Sequence, residues 1–251
     1  MARRAWMSSG YSDFCILSSD FCILYPHIEA LHLNPIPVQD YRQEFIEFAL
    51  SRGALRFGSF KLKSGRTSPY FFNSGLFDDG ESLRKLGDFY ARAIMDSGLE
   101  FDMLFGPAYK GIPLVCAVAM SLSVISGRSC PFCFDRKEAK DHGEGGLTVG
   151  APAQGRIIIV DDVISAGTSV NHAAGLLRGF GANPVAVAIA LDRQERGSGT
   201  LSALEEIEQN LKIRVLSIIK LLDIVRYLER KPENSEHLSS INDYLQDYGI
   251  N

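Results

Sequence analysis

Cysteine is scarce in this chain: five residues in 251, at positions 15, 22, 116, 130 and 133. An odd number at irregular spacing speaks against the disulfide framework of a small secreted domain. The run "CPFC", Cys130 to Cys133, has the spacing of half a zinc site, but no second Cys or His pair stands at a matching spacing. Nor does it open a helix, where a redox thiolate would be stabilised, so it reads as two half-buried thiols. The sequence has no uninterrupted apolar run near the ~20 residues of a membrane span, and no membrane partner is expected. Positive charge is not in excess: 26 Lys and Arg against 30 Asp and Glu leave a net charge of -4 and a pI of about 5.8. A general nucleic-acid binder is more often basic, so no nucleic-acid partner is expected either. Free thiols suit the cytoplasm.

What is present is ordinary in bulk and uneven along the chain. Hydrophobic residues make up 46% and charged residues 22%, enough to bury a substantial core. Residues 1–37 stand apart. "SDFCIL" occurs twice there, at 12–17 and 19–24, too briefly for a solenoid. Arg3 and Arg4 could open a signal peptide, but Asp13 and Asp20 interrupt any apolar stretch. This segment is expected to be an extension outside the fold, followed by a single domain over 38–251.

From Tyr41 the pattern becomes regular. "YRQEFIEFALSRG" places Phe45, Phe48 and Ala49 on one helical face. "ALRFGSFKLKSGRTSPYFF" alternates and is punctuated by Gly and Pro, as hairpin strands are. Beyond it, strand candidates ("FDMLFG", "CPFCF", "RIIIVDD", "NPVAVAIALD", "LKIRVLSII") alternate with helix candidates. "DRKEAKDHGEGGLTVG" reads as a long polar loop. Alternation of this kind predicts an α/β fold with a doubly wound sheet, whose ligands sit beyond the carboxyl ends of the strands.

The stretch "IIIVDDVISAGTS", residues 157–169, is where chemistry concentrates. Four apolar residues end at Val160. A helix is predicted from about Thr168, and between them Ser165, Ala166, Gly167, Thr168 and Ser169 form a turn of small residues. Small side chains let backbone N–H groups approach an anion, and the helix N-terminus adds a favourable dipole. No Gly-Lys-Ser/Thr follows, so this is not the Walker form. Asp161 and Asp162 would repel a phosphate but accept hydrogen bonds from sugar hydroxyls. A ribose 5-phosphate would thus be oriented, phosphate on the amides and hydroxyls on the acids. The acids could also stabilise positive charge developing at the anomeric carbon.

This stretch resembles the PRPP-binding motif of the type I phosphoribosyltransferases. "LKSGRTSPYFFNSGLF" (62–77), "FGPAYKGIPL" (105–114), "DRKEAKDHGEGG" (135–146) and "LDRQERG" (191–197) are similar, in order, to the orotate phosphoribosyltransferases of that family. The resemblance runs from about residue 38 to the C-terminus. It implies a mainly parallel sheet flanked by helices, an N-terminal hood of short strands and a helix over about 38–78, and a flexible catalytic loop over 136–148. It implies transfer of ribose 5-phosphate from PRPP to orotate, with Mg²⁺, in a homodimer whose loop reaches the partner's site. Val38 is then the expected translation start, since valine can be encoded by GUG.

By the same resemblance Lys140, His142 and Lys110 are catalytic. PRPP would be held by Lys63, Tyr109, Lys110, Arg136, Lys137, Lys140 and His142, and by the turn Asp161, Asp162, Val163, Ile164, Ser165, Ala166, Gly167, Thr168 and Ser169. Orotate would be held by Lys63, Phe71, Phe72, Ser165 and Arg193. No direct protein ligand to the metal is expected: Mg²⁺ travels with PRPP, near Asp161 and Asp162. Arg193 suits a carboxylate that uracil lacks. Phe71 and Phe72 are adjacent, so in a strand only one of them can be core. In the loop, Glu138, Asp141 and Glu144 nearly cancel the cations, and Gly143, Gly145 and Gly146 allow a hinge. Two rival readings keep part of the pattern. A purine or uracil phosphoribosyltransferase would keep the cradle without "FFNSG" and Arg193. A PRPP-sensing regulator that binds nucleic acid would carry a basic face or an added nucleic-acid domain, against which the pI and the residues outside the fold argue.

Overall fold

The computed structural model describes residues 40–62, 65–140, 146–164, 167–197 and 201–250, with the backbone alone of Asp40, Ala139 and Lys140. The extension 1–37 and the candidate residues Lys63, His142, Ser165 and Ala166 fall outside them, as does the Lys140 side chain. The centre of the sheet follows from unbroken apolar runs. β6 (Arg156–Val160) buries Ile157, Ile158, Ile159 and Val160 completely. A strand buried on both faces needs cover on both, as parallel sheets require. Its neighbours are β3 (Met103–Gly106) and β7 (Asn183–Asp192), both parallel to it. With β4 (Phe132–Lys140), β5 (Gly146–Gly150) and β8 (Arg214–Lys220) they form a sheet of order β5-β4-β3-β6-β7-β8. Only the β4–β5 pairing in it is antiparallel.

Alternate residues divide two cores. Ile158, Val160, Ala186, Ala188 and Ala190 face the side covered by α1 (Asp40–Ser51), α2 (Gly80–Asp96), α3 (Gly111–Ser126) and α6 (Leu221–Glu229). Ile157, Ile159, Val187 and Ile189 face α4 (Thr168–Gly179) and α5 (Ala203–Leu211). The hood is a separate antiparallel pair, β1 (Leu55–Lys61) and β2 (Thr67–Phe72), backed by α1 and by the last helix, α7 (Ser235–Tyr248). Phe72 is buried and Phe71 is not, so the adjacent rings do face opposite ways.

Two parts of the sequence reading change. α5 was not anticipated from "LSALEEIEQNL". Its start is set by a local device, Ser202 and Glu205 in a reciprocal capping box. The polar stretch over 136–148 is not a loop throughout. Asp135 pairs with Thr148 and Lys140 with Gly146, so β4 and β5 form a hairpin arm and only 141–145, outside the described residues, remain of the expected loop. Backbone pairing at an open sheet edge does not require apolar side chains, and polar strands there discourage association. The thiols resolve as structural. Cys133 is fully buried and Cys130 half-buried, and burial pushes both up to about 11.

Candidate active site

The sheet order has one switch point. The chain leaves β3 through α3 toward β4, and leaves β6 through α4 toward β7, in opposite directions across the sheet. A crevice opens where such connections diverge. The two turns at that point are 107–110, after β3, and 161–167, after β6.

The first turn is tight. A Cβ on Gly106 would lie 2.2 Å from the Gly111 carbonyl oxygen, so only glycine lets strand and helix approach this closely. The Ala108 N–H donates to Asp135 Oδ1 at 2.5 Å, which ties the turn to β4. The turn delivers Lys110 to Asp162: Nζ lies 2.7 Å from Oδ2. Tyr109 is exposed, and Lys137 Nζ sits 5.6 Å from its ring centre, so two of the expected PRPP residues meet. Arg136 leaves Nη1 buried with no hydrogen-bond partner among the described residues, a donor set that an anion would satisfy.

The second turn explains how adjacent acids are tolerated. Asp161 Oδ1 accepts the Asp162 N–H at 2.9 Å, and Asp162 Oδ1 accepts the Val163 N–H at 2.8 Å. Asp162 Oδ2 accepts both Lys110 and the Ser74 hydroxyl, each at 2.7 Å. The Tyr90 hydroxyl donates to the Asp161 carbonyl at 2.8 Å and anchors the strand end from α2. Gly167, at φ +68°, turns the chain into α4, whose first residues Thr168 and Ser169 are exposed. Asp161 is only 7% exposed. Burial, reinforced by the charge of Asp162, pushes its carboxyl up to about 6.

That shift has a consequence for stability. A carboxyl whose proton is held more tightly in the folded state stabilises it below the unfolded value, and this is lost as pH rises through about 6. The ionised form then costs at most about 3 kcal/mol, at about 1.4 kcal/mol per tenfold change in proton affinity. Asp161→Asn is therefore expected to melt at higher temperature than the parent at pH 8. The gap should shrink as pH falls from 6 toward 4, and thermal melts across that range measure it. A constant gap would assign the effect to something other than this carboxyl.

The two turns open into a cleft of about 1090 Å³. Phe71, Phe72, Lys110, Asp162, Val163, Ile164 and Arg193 all line it. Asp161, which is buried, does not line it, and neither do Tyr109, Arg136 and Lys137. Arg193 follows β7 and reaches back to the hood, where its guanidinium carbon lies 4.5 Å from the Tyr70 ring centre. Several lining residues escaped the sequence reading: Lys61, Arg66, Asn73 and Glu195. Glu195 lay in a quoted motif, two residues from Arg193, and that spacing was the available signal. Ser74 also lay in a quoted motif, but nothing local pairs it with Asp162, 88 positions away. Among the described residues no three carboxylate, His or Cys side chains cluster as a metal cage. The adjacent carboxylates Asp161 and Asp162 fit a Mg²⁺ that keeps its waters and binds mainly through substrate oxygens.

The chain is similar to known proteins. The phosphoribosyl transferase domain family matches residues 74–202. Orotate phosphoribosyltransferase of Yersinia enterocolitica is 53% identical over 210 residues, 84% of this chain and 99% of the relative. That of Yersinia pestis is 54% identical over 210 residues, covering 84% of this chain and 98% of the relative. The crystal structure of the Francisella tularensis orotate phosphoribosyltransferase superposes with a TM-score of 0.74 at 40% identity, over 82% of this chain and 95% of that one.

Proposed function

The chain belongs to the phosphoribosyltransferases, among the orotate phosphoribosyltransferases, and from that premise we propose how its residues carry the reaction. The activity is transfer of ribose 5-phosphate from PRPP to orotate, giving orotidine 5'-monophosphate and pyrophosphate in pyrimidine biosynthesis. One observation supports the division of labour best. A single cleft is lined by Asp162 and Lys110 together with Arg193 and the hood aromatics Phe71 and Phe72.

In this reading the turn 163–169 takes the 5-phosphate on backbone N–H groups and on the hydroxyls of Ser165, Thr168 and Ser169. Asp161 and Asp162 take the ribose hydroxyls. Lys110 then exchanges its contact with Asp162 for the pyrophosphate, with Lys63, Tyr109, Arg136 and Lys137. The otherwise unpartnered Nη1 of Arg136 favours that role. Orotate lies against the hood segment carrying Phe71 and Phe72, next to Lys63 and Ser165, with its carboxylate on Arg193. Lys140, the last residue of β4, and His142 close over the leaving group. Charge grows on pyrophosphate as the anomeric bond breaks, so cations placed there stabilise the transition state more than the ground state. Mg²⁺, bound with PRPP near Asp161 and Asp162, would neutralise part of that charge. A homodimer with the arm shared across the interface and a cytoplasmic location complete the proposal.

The test is loss of orotate ultraviolet absorbance with PRPP and Mg²⁺, with uracil as a parallel substrate. PRPP-dependent loss of orotate with uracil inert is expected. Turnover of uracil at a comparable rate would remove Arg193 as the source of selectivity. No turnover by folded protein that still binds PRPP would turn the reading to a PRPP-binding regulator.

A further inference from the structure

Arg193 is held more completely than a residue waiting for a substrate would need to be. Its Nε donates to Glu195 Oε1 at 2.7 Å, and its Nη2 lies 2.6 Å from the same oxygen. Nη2 also donates to Ser68 Oγ at 3.1 Å. Ser68 gives its own proton to the Tyr70 carbonyl at 2.7 Å, so its oxygen is set as the acceptor. Tyr70 covers one face of the guanidinium and directs its hydroxyl at Glu195 Oε1, 3.4 Å away. The Tyr244 hydroxyl faces the same pair.

Glu195 is itself anchored. Its other oxygen lies 3.7 Å from Arg66 Nη1. Its backbone bridges Gly249, and the adjacent Gln194 and Arg196 are bonded to Ile250 and Tyr248. The pair is 21% and 14% exposed, so solvent weakens it little.

We propose that Glu195 is a positioning residue for substrate recognition: it occupies the Nε–Nη2 edge of Arg193 and leaves Nη1 to meet the carboxylate of the base. A guanidinium has five N–H donors in a fixed plane. Glu195 takes the Nε–H and lies against Nη2, and Ser68 accepts from Nη2, so the engaged donors are those of Nε and Nη2. An incoming carboxylate is thereby met end-on by Nη1, in the plane that Tyr70 sets. The charge balance agrees with this role. One carboxylate between Arg193 and Arg66 leaves that group of three with one net positive charge, which suits one substrate carboxylate. The inference rests on the reading that Arg193 binds orotate.

Steady-state kinetics of three variants test it, with orotate and PRPP each varied. Glu195→Ala frees the guanidinium edge and is expected to raise the orotate KM by about tenfold, the cost of roughly 1.4 kcal/mol of positioning. The PRPP KM should stay within about twofold, and kcat should fall less than the orotate KM rises. Glu195→Gln keeps an acceptor at the same place without the charge and should fall between parent and Ala. Arg193→Ala should raise the orotate KM more than either, by about ten- to a hundredfold, since it removes a charge-assisted bond outright. If Arg193→Ala raises the orotate KM and Glu195→Ala does not, the proposal fails while the role of Arg193 stands. If Arg193→Ala leaves it unchanged, that role fails and the proposal with it. Equal rises in both KM values would show a merely structural ion pair and would also overturn it. Should Glu195→Ala not fold, the isosteric Gln variant is judged by the same criteria.

Discussion

Lys140→Ala is expected to lower kcat by about two to three orders of magnitude, the loss seen when one preorganised donor to a developing charge is removed. PRPP affinity should change far less. The asymmetry follows from where the lysine acts. A cation that meets pyrophosphate as the bond breaks contributes mainly in the transition state, and such a loss lowers kcat rather than binding. The backbone supports this placement. Lys140 ends β4 opposite Gly146, after a register shift that begins at Asp135, so it stands where the hairpin arm turns. The arm carries Lys137, which already reaches Tyr109 in the turn after β3. Orotate turnover and calorimetric PRPP binding measure the two quantities, and an unchanged kcat would take the arm out of the mechanism.

Asp162→Asn is expected to lower kcat/KM for PRPP by about ten- to a hundredfold, the equivalent of roughly 1.5–3 kcal/mol for a charge-assisted contact. Both carboxylate oxygens are engaged. Oδ1 receives the Val163 N–H, and Oδ2 receives Lys110 and Ser74. An amide cannot serve both sets of donors, because its nitrogen would face either the Val163 N–H or the Lys110 ammonium. The pH profile should move as well. Burial is the larger cause of the raised Asp161 value and the Asp162 charge a smaller one. With Asp162 neutral, the Asp161 carboxyl ionises more readily. The acid limb of kcat/KM, expected near pH 6 in the parent, should then shift to lower pH without reaching the ordinary aspartate range. A limb that does not move would mean that Asp161 is not the group titrating. The same variant tests the shared arm. If the arm of one subunit serves the other's site, mixing Asp162→Asn with Lys140→Ala protein should restore activity, since one site of each hybrid is then intact. No recovery would argue for sites completed within one chain.

Much of this was legible in one dimension. The run "RIIIVDD" alone marks a doubly covered strand and its carboxyl end, because β side chains alternate and only a strand buried on both faces needs four apolar residues in a row. The small-residue turn to Thr168 marks a helix start, because that conformation excludes bulk. Such signals are local: backbone geometry sets their period, and neighbouring residues carry them. The hairpin arm was misread for the complementary reason. Polar residues at a sheet edge pair through their backbones and leave no pattern of burial in the side chains.

What the sequence by itself determined is therefore the α/β class, the strand ends where chemistry gathers, and the residue types that phosphate, ribose and carboxylate require. Tertiary structure alone decided who serves whom. Lys110 meets Asp162 across 52 positions, Ser74 meets Asp162 across 88, and Arg193 meets Ser68 across 125. None of these pairs shares an element, so no periodicity records them. They exist because the sheet brings β3 and β6 side by side and the hood meets the segment that follows β7, and a hydrogen bond depends on distance in space rather than along the chain.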